Sequence, residues 1–139
     1  MRRYLIDTNV LIDAMVRQRP GHDVAMRVLA RNRLDRSVAL SAFLPSLKDA
    51  YYIARRHYGD ERAARKGVSL LFGMLDGVGL DARIVESALR SDEPDFEDGL
   101  VRAAAEISGC DGIISRDVAA FANSRCERID PIDFIAMRS

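Results

Sequence analysis

The run Arg3-Tyr4-Leu5-Ile6-Asp7-Thr8-Asn9-Val10-Leu11-Ile12-Asp13 constrains the fold more than any other stretch of this chain. Tyr4, Leu5 and Ile6 form a short continuous apolar segment, the pattern of a buried strand. It ends at a carboxylate. Thr8 and Asn9 are turn and N-cap residues. Val10, Leu11 and Ala14 then recur at helical spacing. Asp7 is therefore expected at the carboxyl end of the first strand, beside a helix N-terminus. In an open parallel sheet, ligands bind along that edge. A carboxylate directly after a buried strand is costly unless it is paired or holds a cation.

The rest of the chain alternates short strands with helices. Val24 to Arg33 is expected to be a second helix and Ser37 to Ser41 a second strand. Pro45 fits the first turn of a helix whose stripe is Leu44, Leu47, Tyr51, Ala54 and Tyr58, stopped by Gly59. Asp60 is expected to cap a helix burying Ala64, Val68, Leu71, Phe72 and Leu75. Gly77 to Leu80 reads as a weak third strand, and Asp81 caps a helix carrying Ile84, Val85, Ala88 and Leu89. Asp95 opens the next helix, with Phe96, Leu100, Ala103, Ala104 and Ile107 on its inner face and Gly109 at its end. Gly112 to Ser115 is a fourth strand, followed by a short helix around Ala119 to Phe121. Glu127 to Ile129 is a fifth, and Pro131 to Met137 a last helical turn or two. Strands separated by helices imply a parallel α/β sheet with helices on both faces, and 139 residues suit one domain spanning 1–139.

Asp117 repeats the arrangement of Asp7 at another strand end, with Ser115 as a hydroxyl partner for an acid in the same site. Its competing role is an N-cap. Arg116 would serve solvent, phosphate or a carboxylate. Asp98 falls in the first turn of its helix, where the helix dipole favours a carboxylate without any catalytic role. Glu97 beside it would enlarge the acidic cluster. Asp49 closes a Ser-x-x-Asp pattern from Ser46, and that spacing favours helix capping over ligation. Taken jointly, Asp7, Asp98, Asp117 and, less strongly, Asp49 describe two to four carboxylates at one sheet edge. Hard oxygen ligands of this type suit Mg²⁺ or Mn²⁺.

Composition excludes some alternatives. Lys plus Arg is 21 and Asp plus Glu is 21, so nucleic-acid binding has to rest on local patches such as Arg17, Arg19 and Arg33, or Arg55 to Lys66. Cys110 and Cys126 are too few for a disulfide scaffold, which fits a reducing cytoplasm. Asp7 and Asp13 break the first apolar run, so it is not a signal peptide, and no stretch approaches a membrane span. A phosphatase using Asp7 as nucleophile would want a second Asp where Asn9 stands. A receiver domain would want a Lys at a later strand end, where Arg116-Asp117 stands.

The opening Leu5 to Asp13 resembles that of the PIN-domain nucleases. Lys48-Asp49-Ala50-Tyr51-Tyr52-Ile53 is similar to the Thr-Asp-Ile-Tyr-Tyr-Ile helix of one PIN subgroup, and Asp95-Phe96-Glu97-Asp98-Gly99-Leu100 to its Asp-Phe-Glu-Asp-Ala-Leu motif. Ile113 to Asp117 resembles its Ile-Val-Thr-Arg-Asp/Asn strand end, and Phe121 matches the Phe that follows. The resemblance runs from Tyr4 to about Phe134. It implies a PIN-like three-layer α/β/α fold with a central, mainly parallel, four- to five-stranded sheet. It also implies metal-dependent cleavage of single-stranded RNA and, in the VapC-like toxin subgroup, a cognate antitoxin and a homodimer. On this resemblance Asp7, Asp98 and Asp117 match acidic metal positions. Asp49 matches a position that is Glu in most of the wider family. Thr8, Asn9 and Ser115 match supporting residues. A stand-alone RNA-processing nuclease, or a PIN-like scaffold with a weakened site, are the alternatives.

Overall fold

The computed structural model describes residues 1–137. Five parallel strands form one sheet: β1 (Arg2–Ile6), β2 (Val38–Phe43), β3 (Asp76–Val78), β4 (Gly112–Ile114) and β5 (Glu127–Ile129), in the order β3-β2-β1-β4-β5. The first strand is thus the central one. Ile6 pairs with Ala42 on one side and with Ile114 on the other. The sheet is wholly parallel.

Strand alternation divides the core into two layers. Tyr4 and Ile6 face helices α1 (Thr8–Met15), α2 (His22–Leu34), α3 (Leu44–Tyr58), α4 (Glu61–Met74) and α7 (Pro131–Ala136). Leu5, Phe43 and Ile113 face α5 (Ala82–Arg90) and α6 (Phe96–Ile107). Local chemistry sets the helix boundaries. Asp60, Asp81, Asp95 and Asp130 accept backbone N–H bonds at the starts of α4, α5, α6 and α7. Pro45 sits in the first turn of α3, and Gly59 ends it at φ 63°, a left-handed conformation that glycine adopts without strain.

Several sequence expectations are corrected. Asp7, not Thr8 or Asn9, is the N-cap of α1, accepting from the Thr8 N–H. Phe72, Leu89, Phe96 and Ile107 lie outside the core. The reason in α6 is close packing. Its buried face is Gly99, Val101, Ala103, Ala104 and Ala105, and a Cβ on Gly99 would sit 3.3 Å from the Ala88 carbonyl of α5. Small residues therefore take the interface and the bulky ones turn outward. Gly79 and Leu80 fall outside β3, whereas β2 runs on to Phe43. No helix forms at Ala119 to Phe121. Phe121 has φ 66°, and its N–H donates to the Glu93 carboxylate instead of a helical carbonyl.

Candidate active site

The carboxyl ends of β1, β2 and β4 meet at the strand-order switch, where β1 has neighbours reached by connections of opposite sense. A cleft of about 400 Å³ opens there. Asp7, Asp49, Asp98, Asp117 and Glu97 all line it, with Thr8, Asn9, Ser46 and Lys48. The sheet edge and α3 and α6 bring together carboxylates from four separate parts of the chain.

Asp7 is the fixed point. It is 5% exposed, and its N–H donates to the Ile114 carbonyl, which ties it to β4. Its Oδ1 accepts from Thr8 N at 2.8 Å and its Oδ2 from Ser115 Oγ at 2.7 Å. Asn9 Nδ2 lies 3.4 Å from Oδ2. Burial raises the Asp7 pKa above the ordinary carboxylate range, and the Ser115 and Thr8 bonds oppose that rise. Ser115 is fully buried and also accepts the Asp117 N–H, so one hydroxyl joins the two acids. Ser115→Ala removes both contacts and should cost about 1–3 kcal/mol of stability, read as a lower urea midpoint.

Asp98 sits beside the Asp95 cap, which alone takes the first N–H groups of α6. The Asp98 carboxyl is pushed up to about 6, first by burial and then by the charges of Asp7, Asp95, Asp117 and Glu93. An acid near 3.8 when unfolded and about 6 when folded binds more protons in the folded state between those values. Its stabilising contribution is complete below the lower value and lost as pH rises through the upper. Asp98→Asn should therefore flatten the fall in stability between about pH 4 and about pH 6, measured by thermal unfolding without metal.

Asp117 Oδ1 accepts from Ala119 N and Ala120 N, so the capping role and a place in the cleft coexist. Asp49 does not cap α3. That helix starts at Leu44 with no side-chain cap, and Ser46 Oγ instead accepts from the Thr8 hydroxyl at 2.7 Å. The local sequence marks Ser46 only as a capping residue, because its bond to Thr8 spans 38 positions. Arg116 serves a carboxylate: Nε and Nη2 donate to Asp13, which is buried outside the cleft.

The donor set fits a hard divalent cation. Among the described residues no Lys, Arg or His forms an ion pair with Asp7, Asp49, Asp98, Asp117 or Glu97. Asn9 Oδ1, beside Asp7, is a buried oxygen with no hydrogen-bond donor. Among the described residues no three His, Cys, Asp or Glu side chains stand close enough, as placed, to hold a metal ion, so the cleft offers donors of the right chemistry without a preformed cage.

The sequence profile of the PIN domain matches residues 3–119. This chain belongs to the PIN domain family. Among curated protein sequences none matches it. Its fold is shared with VapC20 of Mycobacterium tuberculosis, a toxin that cleaves the sarcin-ricin loop: TM-score 0.67 and 20% identity over 83% of this chain and 90% of that one. It is also shared with VapBC2 of Rickettsia felis bound to promoter DNA: TM-score 0.68, 12% identity, 92% of this chain and 98% of that one. A toxin–antitoxin complex from Klebsiella pneumoniae gives TM-score 0.64 and 22% identity over 92% of this chain and 97% of that one. Among the described residues of this PIN domain no helix is long and apolar enough to cross a membrane.

Proposed function

We propose that this PIN domain is an endoribonuclease that cuts single-stranded RNA with Mg²⁺ or Mn²⁺ and acts as the toxin of a toxin–antitoxin pair. The observation that carries the reading is the cleft lined by five carboxylates, none of them in an ion pair with a Lys, Arg or His among the described residues. Family membership and the toxin folds it resembles support the same reading.

Asp7, Asp98 and Asp117 would hold the metal, with Asp49 a further ligand from α3. When bound, a divalent cation supplies a Lewis acid for the phosphoryl group and makes water nucleophilic near neutral pH. The residues of the chain do the rest. Ser115, Thr8 and the β4 backbone fix the Asp7 carboxylate, so it would present its oxygens to a cation in one orientation. Asp98, with its carboxyl pushed up to about 6, would have to be deprotonated to ligate a cation, so metal affinity would rise with pH through that value. Exposed Lys48 at the cleft mouth offers a cation to the RNA backbone.

Purified protein on a mixed single-stranded RNA pool should cut with Mn²⁺ and stop with EDTA. Cleavage indifferent to EDTA overturns the metal reading. Protein that neither cuts nor gains stability with Mn²⁺ favours a weakened PIN-like scaffold instead. The toxin role predicts that a neighbouring reading frame encodes a protein that suppresses cleavage when co-expressed; without one, a stand-alone RNA-processing role replaces it. Exposed Tyr52 on α3 and Leu70 and Phe72 on α4 provide apolar surface for a homodimer in the cytoplasm, which sedimentation velocity tests.

A further inference from the structure

An ionic cluster stands outside the acidic cleft. Asp13, in the last turns of α1, is 2% exposed. Arg116 reaches it with Nε at 2.8 Å from Oδ2 and Nη2 at 3.2 Å from Oδ1. Arg19, from the α1–α2 connection, adds Nε at 2.8 Å from Oδ1. The His22 ring meets the Asp13 carbonyl at 2.9 Å. Gly21 makes room: a Cβ there would lie 2.3 Å from Asp13 Oδ2. The connection after α1 is therefore built around this carboxylate.

Arg116 stands between Ser115, which bonds Asp7, and Asp117, which lines the cleft. A guanidinium stays charged at any physiological pH and pairs with whatever carboxylate is within reach. Two sets compete for it. One is Asp13. The other is the cleft, which the residues on both sides of Arg116 reach: Ser115 bonds Asp7, and Asp117 lines the wall. An arginine seated among Asp7, Asp98 and Asp117 would supply the positive charge that a divalent cation otherwise brings.

We infer that Asp13 is a positioning residue that holds Arg116 out of the acidic cleft and so keeps the cleft available to a divalent cation. Asp13 makes no contact with the metal or the RNA in this scheme; it acts through Arg116. The inference rests on the metal-binding reading of the cleft and adds the device that protects it.

The test is Mn²⁺ titration followed by calorimetry and by thermal shift, with no RNA present. Asp13→Asn keeps the shape and removes the charge that retains Arg116. It should weaken Mn²⁺ binding by about tenfold or more. Asp13→Asn combined with Arg116→Gln should bind Mn²⁺ within about twofold of Arg116→Gln alone, because no guanidinium remains to compete. A double variant as weak as Asp13→Asn overturns the inference and leaves Asp13 a purely structural group. If Asp13→Asn does not fold, Arg116→Gln decides. Arg19 still holds Asp13 in that variant, so it should bind Mn²⁺ at least as tightly as wild type, and weaker binding overturns the inference. Wild-type protein that binds no Mn²⁺ overturns the metal reading and this inference together. Wild-type binding without rescue overturns this inference alone.

Discussion

Asp7→Asn should lower metal-dependent RNA cleavage by about a hundredfold or more while raising the unfolding temperature of the metal-free protein. The two effects have one cause. Asp7 is held nearly dry with no counter-charge in an ion pair among the described residues, and burial lifts its pKa. Ionising it inside the fold is therefore uphill relative to ionising it in the unfolded chain. Because the folded pKa is raised, the penalty is fully present above that pKa and absent below the unfolded value. A neutral amide of the same shape removes the penalty. Asn Oδ1 can keep the Thr8 N–H bond, and the Ser115 hydroxyl can turn to accept from the amide. Thermal unfolding with and without Mn²⁺, beside cleavage of an RNA pool, measures both. Undiminished Mn²⁺-dependent cleavage by Asp7→Asn would sink the site assignment. Loss of activity together with loss of the folded state would show a structural role for the acid instead.

Arg102→Met is expected to destabilise the fold by about 3–5 kcal/mol and to free the segment that carries Asp117. Arg102 leaves α6 and ties together Asp92, Glu93, Glu106 and the Asn123 carbonyl. The Glu93 side chain is 4% exposed, and besides Arg102 it accepts the N–H of Phe121. Removing the guanidinium leaves a nearly buried carboxylate without its cation. That carboxylate also holds Phe121 at positive φ, a conformation unfavourable for a bulky residue. The chain between Arg116 and Ser124 has no helix or strand, so it should open first. A lower urea midpoint and faster amide exchange confined to that segment check the prediction. A stability loss spread evenly over the sheet would contradict it.

The same clamp shows where sequence reading stops. Residues 119–121 look like a short helix because Ala119, Ala120 and Phe121 have no local feature against one. What prevents it is Glu93, 28 positions away. The sequence likewise leaves Arg116 open among three partners, and the one it takes lies 103 positions away. By contrast, the strand ends at Asp7 and Asp117 are legible because an abrupt acid after an apolar run is a local signal. Asp49 sits between these cases. Its spacing from Ser46 suggests a cap, yet α3 starts two residues before Ser46, which leaves Asp49 in the second turn and on the cleft. The outward faces of α5 and α6 escape the sequence for a related reason. Helical periodicity marks a stripe, but the close approach of Gly99 to Ala88 decides which side of it is covered.

The central position of β1 bears on the order in which the protein comes off the ribosome. β1 is made first, and β2 covers one of its edges, but the other edge stays bare until residue 112 has emerged. Ser115 and Asp117 arrive with that late strand. A nascent chain therefore has only part of its acidic cleft for most of synthesis. Under the proposed activity, that delay would keep a ribonuclease silent while the message encoding it is still being read.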